Sequence, residues 1–304
     1  MDSFLNTSRP PVFCPGCTHE KITACLDKAL VKLGLPAHKT VIVSDIGCSG
    51  LFDTFFNTHA LHGLHGRALT YAAGLKLAAP DLNVIVTMGD GGLGIGGAHV
   101  LSACRKNLDL TLVVLNNFNF GMTGGQYSST TPTDALAGSS FLNRAEAPLD
   151  ICEVARSAGA TWISRCPGTA PELPDVLKDA MQHKGFSLVE TLGLCTGRYT
   201  KRNKLTPSAL DAMISKLPPM PGKIDANERP EYGKRYRALA SEAEAAEPVT
   251  IRKQFDPPRG FDADRQEIVI LGSAGMRIVT AGDILCYAGM TAGIADEAKF
   301  KLYI

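Results

Sequence analysis

A carboxylate and a pair of amides follow two strand-like runs of the sequence. Asp90 lies in the sequence GDGG, directly after the apolar run 83–88. Asn117 ends the pair NN after the next such run, 111–115. If the two runs are neighbouring parallel strands, both side chains emerge on one rim, where a carboxylate and an amide oxygen suit Mg²⁺. The adjacent glycines and a helix start offer N–H groups to a diphosphate. The competing interpretation, a tight turn with a solvated aspartate, does not account for NN.

The cysteines are the second set of residues whose spacing suggests a chemical role, the binding of a metal or a cluster. The chain has nine cysteines. Cys14 and Cys17 form a C-x2-C pair, Cys48 lies in DIGCSG just after a strand-like run, and Cys195 follows another run. Four thiolates can hold zinc or an iron–sulfur cluster, and the count alone leaves zinc, a cluster and no metal open. Because a reducing compartment is expected, the nine thiols do not imply disulfides.

Strand-like and helical patterns alternate over residues 40–200. The strand-like runs are 40–44, 83–88, 111–115, 161–164 and 187–191, and the helical runs are 67–79, 98–106, 149–158 and 170–183. This alternation predicts an α/β fold with a doubly wound, mainly parallel sheet. Ligands of such sheets bind beyond the carboxyl ends of the strands, which is where GDGG, NN and DIGCSG fall.

Composition excludes several classes of protein. The formal net charge of +1 argues against a nucleic-acid binder that depends on bulk charge. The 45% apolar and 20% charged residues are typical of a globular chain. The apolar runs are strand-sized, so we expect no membrane span. The N-terminus lacks the basic and apolar regions of a secretory signal, and a cytoplasmic protein is therefore expected.

An ordered set of motifs carries a family resemblance. The motifs CPGC, DIGCSG, HGRA, GDGG, NN and GMTGGQ occur in this order between residues 13 and 197. Together they resemble the β subunit of 2-oxoacid:ferredoxin oxidoreductases. The resemblance implies a sheet of the thiamine-diphosphate-binding type, with Mg²⁺ and a [4Fe–4S] cluster as further cofactors.

The resemblance also implies roles for individual residues. Iron–sulfur ligands would be Cys14, Cys17, Cys48 and Cys195, and Mg²⁺ ligands would be Asp90, Asn117 and the main-chain oxygen of Asn119. Residues implied to contact thiamine diphosphate are Cys48, Ser49, His65, Gly89, Asp90, Gly91, Gly92, Asn117, Asn119, Gly121, Met122 and Thr123. His65 and Arg67 of the HGR motif are implied to be catalytic.

The implied activity is the coenzyme A-dependent oxidative decarboxylation of a 2-oxoacid to acyl-CoA and CO₂, with electrons passed through the cluster to ferredoxin. The family takes the glutamate that activates the coenzyme from an α subunit, and no matching motif occurs in this chain. An α partner, with γ or ferredoxin-like subunits, is therefore expected. Gly124 stands where relatives that act on 2-oxoglutarate often have lysine, which favours an apolar substrate: branched-chain, aromatic or pyruvate.

Three alternatives remain open at this point. The first is a thiamine-diphosphate-dependent decarboxylase or synthase subunit without a cluster. The second is a zinc protein with four thiolate ligands, which would leave GDGG and NN unexplained. The third is an indolepyruvate-type oxidoreductase chain, in which cluster cysteines usually lie in an added ferredoxin-like region.

The C-terminal third has a different pattern. Residues 217–265 are rich in proline and charge and predict an extended arm. Residues 267–290 predict a strand, a glycine turn and a helix, which resemble the start of the family's γ domain. The predicted organisation is a cofactor domain at 1–216, a linker or arm at 217–265 and a partial γ-like segment at 266–304.

Overall fold

The computed structural model describes residues 3–242, 268, 270 and 278–291. The chain divides into two compact units, Met1–Glu244 and Ala245–Ile304. The strands of the first unit are β1 (Thr40–Ser44), β2 (His59–His62), β3 (Asn83–Gly89), β4 (Leu110–Asn116), β5 (Trp162–Pro167), β6 (Phe186–Leu192) and β7 (Pro221–Lys223). Its helices are α1 (Thr18–Leu33), α2 (Ala68–Ala78), α3 (Asp90–Ile95), α4 (Gly97–Lys106), α5 (Ile151–Ser157), α6 (Leu173–Gln182), α7 (Pro207–Ile214) and α8 (Tyr232–Glu242). In the second unit, α9 (Ile278–Thr291) is described.

Seven strands form one sheet in the order β2-β1-β3-β4-β6-β5-β7. Six strands are parallel, and only β7 runs antiparallel, beside β5. The predicted α/β fold with a mainly parallel sheet is therefore confirmed. The sequence patterns gave no signal for β2, because this edge strand is mostly exposed and carries two histidines.

Both faces of the sheet are covered, as the near-continuous apolar strands predict. Val41 and Val43 of β1 pack in a core cluster with α2, α4 and α5 on one face. Ile42, which points to the other face, packs in a second cluster with α1 and α6. Helices on both faces leave the carboxyl ends of the strands as the open side of the domain.

Helix α5 shows why one predicted boundary differs from the observed one. The sequence pattern predicts a helix over 149–158, but the helix begins at Ile151. The Asp150 side chain accepts hydrogen bonds from the backbone N–H groups of Cys152 and Glu153. Asp150 is therefore the N-cap, a position with non-helical backbone angles, and it makes the helix begin two residues later than the hydrophobic periodicity predicts.

The predicted division of the chain into a domain at 1–216, an arm at 217–265 and a segment at 266–304 stays a prediction. One observation concerns the arm. Residues of the predicted arm add the edge strand β7 and the helix α8 to the first unit. Of the predicted strand, turn and helix over 267–290, the helix is present as α9, and most of the preceding part lies outside the described residues. Among the described helices, none combines the length and the apolar character that crossing a membrane requires.

Candidate cofactor site

The strands β3 and β4 lie side by side and bring Asp90 and Asn117 to the same rim. Gly89 pairs with Leu115 in the register of the two strands, and α3 begins at Asp90 without an intervening loop. The backbone N–H of Asn117 donates to Asp90 Oδ1 at 3.4 Å. Both side chains are buried. The proximity that the sequence spacing predicts is therefore present.

Three oxygen positions converge beside Asp90. Phe118 has a left-handed backbone with φ of 65°, which turns the chain between Asn117 and Asn119. One end of the Asn117 side-chain amide lies 2.9 Å from the Asn119 carbonyl oxygen and 3.3 Å from Asp90 Oδ1. With its nitrogen at this end, the amide donates to both groups. With its oxygen there, the Asn117 amide lies about 3 Å from each of the other two oxygens, a spacing like that of neighbouring ligands of octahedral Mg²⁺.

The hydrogen bonds around these groups leave an acceptor free. Asn119 donates through Nδ2 to the Asn117 carbonyl at 2.7 Å. Its Oδ1 atom is buried and has no hydrogen-bond partner among the described residues. A buried polar atom without a partner costs about 1–3 kcal/mol, so its position favours a ligand that is bound there in the working protein.

Burial also raises the pKa of Asp90. The shift, from 3.8 to about 6, is caused by removal of the carboxylate from water. Hydrogen bonds from Ser128, the Asn117 backbone and Thr130 oppose it without cancelling it. A cation beside Asp90 would stabilise the charged form of the carboxylate.

The glycines after Asp90 let neighbouring side chains pack directly against the backbone. A Cβ atom on Gly91 would overlap the Phe120 ring, and one on Gly92 would overlap the Asp45 carboxylate. Both glycines are buried and line the cleft. Backbone N–H groups without side chains can approach a diphosphate closely, which is the arrangement that the motif predicts.

Gly92→Ala is expected to lower the free energy of unfolding by about 1–3 kcal/mol, because the new methyl group must displace the Asp45 carboxylate. Gly97→Ala is the matched control, since a Cβ there has no heavy atom within 4 Å and alanine favours the helix. Urea unfolding of both variants measures the difference. Equal stability of the two variants would contradict the close packing of Gly92 on Asp45.

His65 reaches the same cleft from the start of α2. Its Nδ1 atom lies 2.9 Å from Asp45 Oδ2, and its ring packs edge-on against Phe120 with centroids 5.9 Å apart. Arg67, the other residue implied to be catalytic, is exposed and does not line the cleft. Among the described residues, the one hydrogen-bond acceptor of its guanidinium is the Gly66 carbonyl, at 3.4 Å. The structure therefore brings His65, but not Arg67, to the cleft.

The four cysteines of the predicted cluster share one region. The loop that carries Cys195 binds the C-x2-C loop, since Thr196 Oγ1 donates to the Pro15 carbonyl at 2.9 Å. Cys14 Sγ lies 3.0 Å from the position of a Cβ on Gly197. Burial, with a smaller contribution from the charges of Cys195, Cys48 and Cys14, raises the pKa of Cys17 to about 11.

Of the four cysteines, Cys48 is the one that also lines the cleft. Burial raises the pKa of its thiol, and charges on Cys195, Cys14 and Asp90 add to the rise. Among the described residues, no three His, Cys, Asp or Glu side chains lie close enough to bind a single metal ion. The compact tetrahedral geometry of a zinc site is thus not formed there. A [4Fe–4S] cluster is larger than one ion and takes one thiolate per iron, which spaces its ligands farther apart.

All twelve residues predicted to contact the coenzyme line a single open cleft of about 530 Å³, a volume that includes open solvent. The sequence analysis missed His19, Ile46, Gly47, Leu115 and Phe120, which also line it. His19 is buried, and neither of its ring nitrogens has a hydrogen-bond partner among the described residues. Burial lowers its pKa to about 4, so it is neutral at pH 7. In the sequence, the one indication that His19 lies near the cleft is its position two residues after Cys17.

Comparisons with known proteins agree with this geometry. Residues 45–191 match the family described as thiamine pyrophosphate enzyme, C-terminal TPP binding domain. The 2-oxoglutarate synthase subunit KorB of Archaeoglobus fulgidus is 45% identical over 188 residues, which are 61% of this chain and 70% of the relative. The 2-oxoacid:ferredoxin oxidoreductase subunit beta of Saccharolobus solfataricus is 38% identical over 225 residues, 72% of each chain.

A solved structure extends the similarity to three dimensions. It is described as 2-oxoglutarate:ferredoxin oxidoreductase from Magnetococcus marinus with 2-oxoglutarate, coenzyme A and succinyl-CoA bound. Its TM-score is 0.71 at 27% identity, covering 81% of this chain and 91% of that one.

Proposed function

The chain belongs to the β subunits of the 2-oxoacid:ferredoxin oxidoreductases, and from this premise we propose that its cleft holds thiamine diphosphate and Mg²⁺ beside a [4Fe–4S] cluster. With an α subunit, the protein then oxidises a 2-oxoacid to acyl-CoA and CO₂ and passes the electrons to ferredoxin. The observation that carries the proposal is the convergence of the Asp90 carboxylate, the Asn117 side-chain amide and the Asn119 carbonyl at the rim.

The residues at the rim fit Mg²⁺ and a diphosphate. One carboxylate, one amide oxygen and one carbonyl oxygen are hard ligands, and they leave the other positions of an octahedral ion to phosphate oxygens and water. Gly91 and Gly92 line the cleft, and a backbone without side chains lets a diphosphate approach closely. When bound, thiamine diphosphate supplies the electron sink for decarboxylation. This chain fixes the diphosphate end, and His65 presents a polar group beside it.

The cysteine set fits a cluster next to that position. Cys48 lines the cleft, and Cys195 Sγ lies 3.3 Å from the position of a Cβ on Gly121, which also lines it. Thiols must lose their protons to bind iron. Burial is the main cause that raises the pKa of Cys17 and Cys48, and nearby charges, which include Cys195 and Cys14 in both cases, add to the rise; these charges support the grouping of the four thiols. When bound, the cluster supplies a one-electron acceptor.

An α subunit is part of the proposal because the cleft lacks a second acid. Asp90 is the only Asp or Glu among the described residues that line it, and Asp90 is assigned to Mg²⁺. The proposal therefore takes the carboxylate that activates the coenzyme from an α subunit. This agrees with the name subunit beta that relatives carry.

Two observations bear on the substrate. Several relatives are named for 2-oxoglutarate, and the solved neighbour is described with it bound. Gly124, in contrast, lacks the cation that would bind a distal carboxylate, which favours an apolar 2-oxoacid. We propose 2-oxoglutarate as the first candidate, because the α subunit contributes to the pocket and can supply a cation. The apolar 2-oxoacids are the second candidate.

The isolated chain is expected to show no turnover, and the complex with its α subunit is expected to form acyl-CoA. The test is purification without oxygen, with and without the co-purifying partner, followed by a panel of 2-oxoglutarate, pyruvate, branched-chain and aromatic 2-oxoacids. A viologen dye serves as acceptor, and omission of coenzyme A is the control. Coenzyme A-dependent turnover by the isolated chain would contradict the need for a partner.

A further inference from the structure

Asp45 is a buried carboxylate that follows β1 directly and has two separate donors. Its side chain is fully buried. Oδ1 accepts the backbone N–H of Gly66 at 2.6 Å, and Oδ2 lies 2.9 Å from His65 Nδ1. Since a carboxylate only accepts hydrogen bonds, the His65 Nδ1 atom carries a proton. Asp45 thus binds both the backbone and the side chain of the turn that leads into α2.

This contact determines which nitrogen of His65 is available to a ligand. With Nδ1 bound to Asp45, Nε2 is the free nitrogen, and it has no hydrogen-bond partner among the described residues. The side chain is 32% exposed and lines the cleft with Asp90 and Asn119. Phe120 packs against the ring and restricts its rotation. In a neutral ring held this way, Nε2 is a hydrogen-bond acceptor.

We propose that Asp45 is a positioning residue, which holds His65 in the tautomer whose Nε2 atom accepts a hydrogen bond from a hydroxyl, amine or thiol group of a molecule bound in the cleft. The inference rests on the proposed function for the identity of that molecule, but not for the tautomer. Asp45 also packs against Gly92, so that the carboxylate links the histidine to the backbone proposed to hold the diphosphate.

A second Asp–His pair, Asp53 and His62, lies outside the cleft and provides a control. Asp53 is buried, and its Oδ2 atom lies 3.4 Å from Nδ1 of the largely exposed His62. Neither residue lines the cleft. This pair has the same chemistry as Asp45 and His65 but is longer and lies elsewhere, which makes Asp53→Asn a matched control.

The test uses the full chain labelled with ¹⁵N at its seven histidines. His65→Gln assigns the His65 signals by their loss. The wild type is expected to show the proton on Nδ1. In Asp45→Asn the amide oxygen keeps the Gly66 N–H, so that the amide nitrogen faces His65 and donates to it. The proton then moves to Nε2, and the ¹⁵N shifts of the two ring nitrogens exchange. Asp53→Asn is expected to leave the His65 shifts unchanged.

Turnover by the complex with the α subunit is the second measurement. Asp45→Asn is expected to lower kcat on the order of 10²-fold with little change in KM, because the acceptor is lost while the cleft keeps its shape. Asp53→Asn is expected to keep the wild-type kcat. An unchanged His65 tautomer in Asp45→Asn would overturn the inference, and so would an inverted tautomer with unchanged kcat. If neither the wild type nor any variant turns over a 2-oxoacid, the proposed function fails. The tautomer measurement then still decides whether Asp45 positions His65.

Discussion

Asp90→Asn is expected to abolish retention of thiamine diphosphate and Mg²⁺ while the fold persists. The amide keeps the size of the side chain and one oxygen, but it removes the carboxylate charge, and Asp90 is the one Asp or Glu among the described residues that line the cleft. Loss of a residue that merely supports a metal ligand costs about 10–100-fold in affinity. Loss of the charged ligand itself should therefore cost at least about 100-fold.

The same substitution is expected to stabilise the metal-free chain at pH 7. Burial raises the pKa of Asp90 from 3.8 to about 6, so the folded state binds its proton more tightly than the unfolded state. The ionised carboxylate at pH 7 then destabilises the fold by at most about 3 kcal/mol, since each pKa unit corresponds to about 1.4 kcal/mol. Lowering the pH through 6 towards 4 protonates Asp90 and removes this destabilisation. Asp90→Asn lacks the buried charge at every pH, so it is not destabilised in this way at pH 7.

Two measurements test this pair of expectations. Bound coenzyme and metal are quantified after anaerobic purification, and urea unfolding of the metal-free chain is compared at pH 7 and pH 4.5. Asp53→Asn, another buried aspartate outside the cleft, is the control and should keep both cofactors. Retention of coenzyme and Mg²⁺ by Asp90→Asn would remove Asp90 from the metal site.

The rim was predictable from the topology of a parallel sheet, which places the carboxyl ends of neighbouring strands together. GDGG and NN meet if β3 and β4 are neighbours, and the structure shows that they are. Their backbone geometry was not predictable in the same way. The left-handed Phe118, which brings Asn119 to the same point as Asn117, has no propensity signal, because a bulky residue with positive φ is held only by its surroundings.

Asp45 and Arg67 show where motif reasoning stops. Both lie in motifs that the sequence analysis quoted, DIGCSG and HGRA, yet the motif assigned a role to Arg67 and none to Asp45. In the structure Arg67 is exposed, and the fully buried Asp45 orients His65. Which member of a motif faces a cleft depends on how a loop leaves its strand, and a contact between residues of two loops is not encoded in the spacing within either.

Cys48→Ser is expected to remove the iron while leaving thiamine diphosphate and Mg²⁺ bound. A serine hydroxyl is a poor replacement for a thiolate ligand of an iron–sulfur cluster, and iron content with its visible absorbance should fall at least about tenfold. The proposed Mg²⁺ ligands Asp90, Asn117 and Asn119 come from another pair of strands and keep their positions. Cys25→Ser is the matched control, because Cys25 is also half-buried and lies outside the four-cysteine set.

The comparison of Cys48→Ser with Asp90→Asn tests whether the two cofactor sites are independent of each other. The test is stringent because the two sites lie close together. Both side chains line one cleft, and the charge of Asp90 raises the pKa of Cys48. Because the interaction is electrostatic and the proposed ligand sets share no atom, losing one cofactor should weaken the other but not abolish it. Iron and coenzyme measured on both variants should therefore show opposite losses. If each folded variant loses both cofactors to the same extent, the cleft holds one interdependent assembly, and electron transfer between two independently bound cofactors is the wrong description of it.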